Sequence, residues 1–573
     1  MRQDDSFNGN DRPVLRARAA AVVLTLTAAV LIGRIAHLQF SDPHRYTRLA
    51  ATARRSVGPP KTRRGDIYDR RGRLLATSSP RWSVFADPPR IRSSLDTARI
   101  LARILDVDVT RVYTQLSRTD RRFVWIRRQV SRSRAEWVRA MELSGIHLRR
   151  EDERFYPFGG LFAHVVGYAD VDGRGLKGAE FAFDDMLSGQ AGAEESAGGP
   201  PERGYDVYLT VDAYIQAVTN KALMRQVERH EPESAWALVL DVESGEVLSM
   251  VNWPQFDPAD PAASPYSVRR NRILNDTYEY GSVNKPFTVA VALENGLVEA
   301  DTEFDCHQGV WRFGNRRIHD VREHGTLTVS DILTYSSNIG VAQIGLKLGT
   351  ERFWWGLRQF GFGESSGIEL PWESTGIMRS PERWNEHSLI SIAFGQEVSV
   401  NAAALARAYM ALAGDGMLIQ PYIMGKITDS LSGEVVYSRE SRRELRRAVS
   451  SETARKVVDM MERVVKEGTG TRAAVEHYRV AGKTGTGTLM CEEGEGYSAD
   501  RYISTFVGFA PVEDPEIVVL VSLKVPTRGG YYGGSVAGPA FREITKNTLG
   551  YLNVQPTTPT NFIARAEKDV YCE

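Results

Sequence analysis

Residues 278–293 read YEYGSVNKPFTVAVAL, and this stretch decides how the rest of the chain is interpreted. Its second half is an apolar run, and Ser282 and Lys285 stand three residues apart where that run begins. Residues three apart share one face of a helix, so the Lys285 amine is expected beside the Ser282 hydroxyl. A serine needs a base to become nucleophilic near neutral pH, and a lysine can serve when burial or nearby positive charge lowers its pKa. The pattern alone is weak, because a solvated helix face has the same spacing.

Two further short motifs follow in the second half of the chain. SSN at residues 336–338 places a hydroxyl and an amide two residues apart, where they can relay a proton and hold a peptide carbonyl. A helix cap is the plain alternative for this motif. KTGT at residues 483–486 combines a positive charge with two hydroxyls that can bind a carboxylate. Gly485 would let a substrate approach an edge strand closely, although an ordinary turn has the same composition.

In this order, the three motifs resemble the S-x-x-K, S-x-N and K-T-G set of penicillin-binding proteins and serine β-lactamases. The resemblance extends over most of the chain to a class B penicillin-binding protein, the monofunctional peptidoglycan D,D-transpeptidase, and most closely to the cell-division type. The additional matching segments are RGDIYDR at 64–70, RFYP at 154–157, HVVG at 164–167 and FGQ at 394–396. Two positions depart from the family, which commonly has proline where Tyr280 stands and glycine where Glu397 stands. Neither departure removes a catalytic group.

The resemblance implies a fold in three parts. An α/β transpeptidase domain, an antiparallel sheet flanked by helices of the serine β-lactamase and penicillin-binding type, would follow an elongated α+β N-terminal pedestal domain and one N-terminal transmembrane helix. The corresponding boundaries are a cytoplasmic tail at 1–18, the anchor at 19–40, the pedestal at 41–205, the transpeptidase domain at 206–552 and a C-terminal tail at 553–573. Strand and helix patterns fit this division, because apolar strands near both ends of the second domain are expected to pair in one sheet around intervening helices.

The resemblance also implies a role for each site residue. Lys285 would take the proton of Ser282, Ser336 would relay a proton to the leaving group, and Asn338 would position the peptide. Backbone N–H groups of Ser282 and Thr486 would stabilise the oxyanion. The carboxylate of the substrate would be bound by Lys483, Thr484, Gly485 and Thr486. No metal or organic cofactor is implied.

The implied activity is peptidoglycan crosslinking through an acyl-enzyme on Ser282, with sensitivity to penicillin. The implied partners are peptidoglycan stem peptides, β-lactams, the lipid bilayer, and a polytopic glycan polymerase with other division proteins of the membrane. In overall length and in the spacing around residues 304–320 the chain resembles the septal type more than the elongation type, so the resemblance implies a septal role. A β-lactam-binding sensor and a non-catalytic division scaffold stay open as alternatives.

Residues 19–33, AAAVVLTLTAAVLIG, are free of charge and predict a membrane anchor that continues to about Phe40. Arg12, Arg16 and Arg18 precede the run and favour an N-terminus inside the cell. A cleaved signal peptide is the competing interpretation, but no small-x-small cleavage site follows the run. The sequence therefore predicts a single-pass protein of the cytoplasmic (inner) membrane with its catalytic domain outside the cytoplasm.

Charge and cysteine content exclude other classes of function. Lys plus Arg and Asp plus Glu each total 72, and this balance gives no support to nucleic acid as a partner. The segment from residue 45 to residue 150 is nevertheless rich in arginine. Cys306, Cys491 and Cys572 form neither a disulfide framework nor a zinc pattern; one pair could bridge in an oxidising compartment, but free thiols are favoured.

Two segments resemble motifs of other enzymes. Residues 397–401 fit the Glu-x-x-x-Asn pattern of class A β-lactamases, but they directly follow the FGQ segment typical of transpeptidases. Residues 151–155, EDERF, resemble the start of a glycosyltransferase motif, but Phe158 stands where that motif continues with histidine. Both matches are interpreted as chance.

Overall fold

The computed structural model describes residues 63–188, 203–439, 442–491 and 496–557, together with Val22. The predicted anchor at 19–40 lies outside these residues apart from Val22. Across the described ranges, no helix is both long enough and apolar enough to cross a bilayer. Every described residue except Val22 belongs to one compact unit, residues 60–573.

The N-terminal region is built from a small sheet and short helices. Its elements are β1 (Ile67–Tyr68), β2 (Leu74–Ala86), α1 (Ser94–Leu105), α2 (Val109–Leu116), β3 (Val124–Val130), α3 (Arg132–Ala140), β4 (Ile146–Phe155), α4 (Ala163–Val166), α5 (Gly178–Ala182) and α6 (Asp184–Leu187). The long strand β2 pairs antiparallel with β3 and with β4.

Helices α1–α3 cover one face of the β4-β2-β3 layer. Val84 from β2, Leu101 from α1, Ile126 from β3 and Val138 from α3 belong to one buried cluster. Successive side chains on a strand point to opposite faces, so Val84 faces the helices while its neighbour Phe85 faces away from them.

The second half of the chain begins with a strand, a long helix and a hairpin. The elements as far as the middle of this half are β5 (Asp206–Leu209), α7 (Ala213–His230), β6 (Ser234–Asp241), β7 (Val247–Trp253), α8 (Arg272–Asn275), β8 (Thr277–Tyr278), α9 (Lys285–Glu294), β9 (Glu303–Asp305), β10 (Val310–Phe313), β11 (Arg316–His319), β12 (Thr326–Thr328), α10 (Val329–Tyr335), α11 (Asn338–Leu348) and α12 (Thr350–Gln359). The remaining elements are α13 (Glu386–Ala393), β13 (Val400–Asn401), α14 (Ala402–Ala413), β14 (Met417–Gln420), β15 (Met424–Thr428), β16 (Val435–Ser438), β17 (Arg443–Arg447), α15 (Ser451–Lys466), β18 (Ala481–Met490), β19 (Tyr497–Ala510), β20 (Ile517–Lys524), α16 (Gly533–Val536) and α17 (Gly538–Tyr551).

A five-stranded antiparallel sheet in the order β18-β19-β20-β6-β7 is the centre of this half. Strand β20 pairs with β6, so apolar strands near both ends of the domain share one sheet as predicted, whereas the domain's first strand, β5, lies in another sheet. The two faces of the sheet contribute to separate cores. Val239 joins a cluster with Leu223 of α7 and Phe541 of α17, whereas Leu240 joins a cluster with Phe287 of α9. The sheet therefore lies between helices, and the predicted α/β architecture is confirmed.

A second sheet joins the two halves of the chain. Its order is β16-β15-β5-β1-β2-β3, with β4 on β2. Strand β5 pairs parallel with β1 of the N-terminal region and antiparallel with β15 of the C-terminal half. The predicted boundary at residue 205 thus falls just before a strand that both halves share, and it stays a prediction.

A buried ion-pair network joins separate segments of the N-terminal region. Glu180 is fully buried and accepts from the Nε atoms of Arg64 and Arg154, at 2.6 Å each. Burial raises the pKa of the Glu180 carboxyl, but the two guanidinium groups outweigh this and hold it below its usual range. Arg64 and Arg154 belong to the segments 64–70 and 154–157, so the conformation of these segments depends on contacts distant in sequence.

The cysteines within the described ranges are free. Cys306 is buried and Cys491 is partly buried, and neither forms a disulfide. Cys572 lies outside the described residues.

Candidate active site

Ser282 and Lys285 lie at the start of α9. Ser282 belongs to a 3₁₀ turn, Gly281–Asn284, that runs directly into the helix, and Lys285 is the first residue of α9. Pro286 at the second helical position favours this start, because its φ is already fixed near the helical value. Residues three apart lie above one another in a 3₁₀ turn, so the prediction of a shared face stands although Ser282 precedes the helix. Ser282 is partly exposed, whereas Lys285 is fully buried.

The Lys285 amine contacts the second predicted motif. Its Nζ lies 2.5 Å from the carbonyl oxygen of Ser336, 2.8 Å from Oδ1 of Asn338 and 3.2 Å from Oγ of Ser336. Burial lowers the pKa of Lys285 to about 7, against the opposing influence of the Asp320 carboxylate. A lysine with this pKa is substantially neutral near pH 7 and can act as a base.

The turn between α10 and α11 presents Ser336 and Asn338 on the same side. Ser336 ends α10 in the left-handed conformation, with φ 63°, and Asn338 is the first residue of α11. Ser337 between them points the other way, and its Oγ accepts from the backbone N–H of Gly340. The helix-cap alternative thus describes the middle residue of the motif, while the two outer residues contact Lys285.

Lys483 reaches the same hydroxyl from the opposite side. It lies on β18, which is an edge strand of the five-stranded sheet as predicted, and its Nζ is 2.9 Å from Oγ of Ser336. Lys483 is fully buried, and its pKa is well below the usual value because of burial and, second, the charge of Lys285.

The three contacts of Lys285 fit an ammonium that donates to all three oxygens, and they fit a neutral amine if the Ser336 hydroxyl donates instead. A neutral amine has two N–H donors, matched by the carbonyl of Ser336 and the side-chain carbonyl of Asn338, and one lone pair. The Ser336 hydroxyl has one proton, which it can donate to a neutral lysine while it accepts from the other, protonated one. Two ammonium groups sharing one hydroxyl in a buried site would repel each other, so this arrangement favours one charged and one neutral lysine.

Gly485 is required by the packing of the turn that holds Ser282 against β18. A Cβ at this position would lie 2.6 Å from the carbonyl oxygen of Tyr280, two residues before Ser282. The Thr484 hydroxyl is 2.7 Å from the Thr469 hydroxyl. The Thr486 hydroxyl accepts from the backbone N–H of Gly533 at 3.2 Å, which leaves its own proton to donate. All eight site residues predicted from the sequence therefore lie in three neighbouring segments: the start of α9 with the turn before it, the start of α11 with the turn before it, and β18.

Asp320 is a site residue that the sequence did not reveal. Its carboxylate accepts from the Ser337 hydroxyl at 2.6 Å and from the backbone N–H groups of Asn338 and Ile339 at 2.5 and 3.0 Å. These contacts fix the start of α11 and hence the Asn338 side chain. A negative residue is favourable at a helix N-terminus, but Asp320 lies in a separate segment after β11, so its sequence position carries no capping signal.

Tyr280 and Glu397, the two departures from the family pattern, are accommodated in different ways. Tyr280 is fully buried, and its ring packs edge-on against Tyr278. Glu397 forms an ion pair with Arg379, and its backbone N–H donates to Oε1 of Glu279 at 3.0 Å. The charge that Glu397 introduces is therefore neutralised by a neighbouring arginine.

The two segments that resemble other enzymes have structural roles. Asn401 caps α14 by accepting from the backbone N–H of Ala404 at 2.7 Å, while Glu397 pairs with Arg379, so the two residues of the β-lactamase-like pattern act separately. In the glycosyltransferase-like segment, Glu151 and Glu153 lie on β4. Arg128 pairs with Glu151, and Arg81 pairs with Glu153. Neither pair of residues forms a site of its own.

Comparison with known proteins gives matches over most of the chain. Residues 235–546 match the family described as the penicillin-binding protein transpeptidase domain, and residues 59–198 match the penicillin-binding protein dimerisation domain. The chain is similar to the probable peptidoglycan D,D-transpeptidase PenA of Neisseria meningitidis, with 33% identity over 87% of this chain and 86% of PenA. It is similar to the peptidoglycan D,D-transpeptidase FtsI of Escherichia coli, with 31% identity over 94% of this chain and 92% of FtsI. Among solved structures, penicillin-binding protein 3 of Mycobacterium tuberculosis aligns with a TM-score of 0.69 and 28% identity, covering 87% of this chain and 98% of that one.

Proposed function

This chain is a member of the penicillin-binding protein family and a peptidoglycan D,D-transpeptidase, and from that premise we propose that Ser282 is its acylated nucleophile. The observation that carries the proposal is the meeting of Lys285 and Lys483 at the Ser336 hydroxyl, at 3.2 and 2.9 Å, beside the turn that holds Ser282. Two buried amines at one hydroxyl supply both a base and a positive charge without a metal.

Acylation begins with transfer of the Ser282 proton to the neutral amine of Lys285. The Ser282 oxygen then attacks the carbonyl of the peptide bond between two D-alanines of a stem peptide, which forms a tetrahedral intermediate. Backbone N–H groups of Ser282 and Thr486 stabilise its oxyanion, an interaction typically worth about 3 kcal/mol per donor. The intermediate collapses as the C–N bond breaks, and the leaving amine of D-alanine receives a proton relayed from Lys285 through the Ser336 hydroxyl.

Crosslinking reverses these proton movements. The amine of a second stem peptide attacks the ester on Ser282 and gives up a proton through Ser336 to Lys285. The ester bond breaks, Ser282 regains a proton, and a new amide joins the two peptides. Asn338, held by Asp320, positions the donor peptide through its side-chain amide.

Lys483 and the threonines of β18 hold the terminal carboxylate of the donor. Lys483 supplies the charge, and the Thr486 hydroxyl has a free proton to donate. A β-lactam carries an equivalent carboxylate next to its reactive carbonyl, so it enters the same site and acylates Ser282.

Acylation by a labelled penicillin tests this assignment directly. Intact-mass measurement and peptide mapping should find one label, on Ser282, which persists for longer than the assay. Ser282→Ala should take up no label. Label on Ser336, or label retained in Ser282→Ala, would refute the assignment, and rapid hydrolysis of the label would favour a β-lactamase.

We further propose that the enzyme is anchored in the cytoplasmic membrane by residues 19–40 and acts at the division septum. The proposal is supported by the apolar run at 19–33 and by similarity to FtsI. A topology reporter fused after Glu573 should be active outside the cytoplasm and inactive inside it. Depletion in a rod-shaped host should produce filaments, whereas rounded cells would favour the elongation role.

A further inference from the structure

One face of the β4-β2-β3 layer carries a cluster of aromatic side chains beside its polar ones. Phe85 of β2, Trp125 of β3, His147 of β4 and Phe123, just before β3, form what is called here the outer aromatic face. Phe85 stacks on Phe123 at 4.7 Å between ring centroids, and Trp125 packs edge-on against Phe123 at 4.8 Å. His147 lies 5.2 Å from Phe85.

This face points away from the helices α1–α3. Val84, Ile126 and Leu148, the sequence neighbours of its members, face the helices and belong to or pack against their buried cluster. An antiparallel sheet with one solvated face normally presents polar side chains on that face. Here Phe123 is 42% exposed, and no described residue beyond the layer's own strands and loops is found stacked on the cluster. An exposed apolar patch of this kind marks an interaction surface.

Positive charge is concentrated around the same layer. Residues 84–150 contain fifteen arginines, no lysine, and seven aspartates and glutamates, a net charge of +8 in a chain whose total is zero. Arg121 and Arg122 are exposed and directly precede Phe123, and Arg121 pairs with the exposed Asp120 at 4.0 Å. Arg149 is exposed and lies two residues after His147 on β4, so it shares the outer face. The patch is therefore a ring cluster flanked by exposed arginines.

We propose that the outer aromatic face, with Arg121, Arg122 and Arg149, docks on the surface of a lipid bilayer that contains anionic phospholipids. Aromatic rings are enriched at the headgroup level, where one end of the side chain is apolar and the other wet. Guanidinium groups form bidentate hydrogen bonds with phosphate, and each basic residue near an anionic surface adds to the attraction.

The bilayer is favoured over an acidic protein by the length of chain that precedes the layer. The proposal rests on the anchor proposed above, after which residues 41–62 lead to Arg63, the first residue of the N-terminal sheet region. These 22 residues span at most about 75 Å, at roughly 3.3–3.6 Å per residue. This length of chain allows the N-terminal region to reach the membrane surface that would hold the anchor. Docking would restrict the orientation of the enzyme on its anchor.

Vesicle binding by residues 60–573, which form one compact unit and lack the anchor, provides the test. The probes are vesicles of pure phosphatidylcholine and of phosphatidylcholine with one quarter phosphatidylglycerol, measured by co-sedimentation at low and physiological salt. Binding is expected to the anionic vesicles and to weaken with salt, because the Debye length shortens. Brominated lipids should quench tryptophan fluorescence, and Trp125→Phe should remove most of that quenching. Equal binding to both vesicles, or none to either, would overturn the proposal.

Matched variants test whether vesicle binding depends on this particular face or only on the positive charge of the whole region. The triple variant Arg121→Gln, Arg122→Gln, Arg149→Gln should weaken binding by about fivefold per arginine, on the order of 100-fold in total. The control removes three exposed arginines from the helix-covered side: Arg92→Gln, Arg99→Gln, Arg103→Gln. A loss in the control equal to that in the triple variant would refute a defined docking face.

A second pair of variants tests the aromatic contribution. Phe123→Ala should weaken binding, whereas Trp137→Ala, which removes a 62% exposed ring from α3 on the opposite side, should not. Loss of binding in Trp137→Ala but not in Phe123→Ala would show that the helical side binds the vesicle, and it would overturn the proposal.

Penicillin acylation distinguishes failure of this proposal from failure of the proposed function. Every variant in this set lies outside the proposed catalytic site and should label on Ser282 at the rate of the unmodified protein. Normal acylation without vesicle binding would refute docking alone. Binding without acylation would refute the assignment of Ser282 and leave docking intact.

Discussion

Lys285 and Lys483 contact the same hydroxyl, yet replacing each by arginine should have different consequences. Lys285 is proposed to accept the Ser282 proton, and this requires a neutral amine. Its pKa of about 7 leaves roughly nine in ten molecules with a neutral Lys285 at pH 8. Arginine stays protonated at every accessible pH, so Lys285→Arg removes the base entirely.

The expected magnitudes follow from these roles. Loss of a general base typically costs roughly 10²–10⁴-fold, and Lys285→Arg also adds a fixed charge beside Lys483, so acylation should fall toward the upper end of that range. Lys483→Arg keeps both the base and the positive charge. The larger guanidinium must fit where a fully buried ammonium lies 2.9 Å from Ser336, and a displacement of about 1 Å costs on the order of 100-fold. This variant should therefore acylate slowly but measurably.

The measurement is the second-order rate constant for acylation of residues 60–573 by a fluorescent penicillin between pH 5.5 and 9. Lys483→Arg should retain a rise in rate with pH, because Lys285 still loses its proton, whereas Lys285→Arg should show none. Lys426→Arg, a partly buried lysine over the Tyr208 ring at 4.3 Å and outside the cleft, is the matched control. Thermal unfolding checks that each variant is folded. Equal rates for the two cleft variants, or a faster Lys285→Arg, would show that the base has been assigned to the wrong lysine.

Three further outcomes are expected. The acylation rate should rise with pH through about 7 as Lys285 loses its proton; Asp320→Asn removes the carboxylate that raises this pKa, so the midpoint should move to lower pH. Glu180→Gln should lower the free energy of unfolding by about 3–5 kcal/mol in urea titration, because two buried guanidinium groups lose their counter-charge. Gly485→Ala should slow acylation on the order of 100-fold, because the new Cβ would lie 2.6 Å from the Tyr280 carbonyl and displace the nucleophile turn.

An unchanged or higher pH midpoint in Asp320→Asn would contradict its electrostatic influence on Lys285. Glu136→Gln, which breaks an exposed pair with Arg132 on α3, should change the stability by less than about 0.5 kcal/mol. Gly425→Ala, where a Cβ would meet no atom closer than 3.5 Å, should acylate normally, and a similar defect in both glycine variants would argue against the close contact.

Glu180 also predicts how the stability depends on pH. Its folded pKa is held below the ordinary value of 4.5, so the stabilising contribution is fully present above that value. The contribution is lost as the pH falls through the folded pKa. Glu180→Gln should accordingly flatten the acid side of the stability profile.

The sequence by itself determined the local structure and the reactive side chains of the site. The helix at 213–230 and the hairpin around Gly245 follow from hydrophobic periodicity and turn residues, which act between near neighbours. The relation between Ser282 and Lys285 could be read in the same way, because a spacing of three fixes a shared face in either type of helix.

Several features could not be read from the sequence. The N-terminal segments 64–70 and 154–157 depend on Glu180, and β5 pairs with strands from both halves of the chain. Glu397 appeared as a new charge, but Arg379, eighteen residues earlier, neutralises it. No local pattern specifies these partners.

The meeting of Lys285, Ser336 and Lys483 was decided by the tertiary structure alone. Lys483 lies 147 residues from Ser336 in the chain, and the two come within 2.9 Å because β18 is the edge strand next to the turn before α9. The lowered pKa of Lys285 likewise depends on complete burial by segments far away in sequence. The motifs identify the residues that can react. The burial of the two lysines, and their contact with one hydroxyl, arise only when the sheet and the helices pack around them.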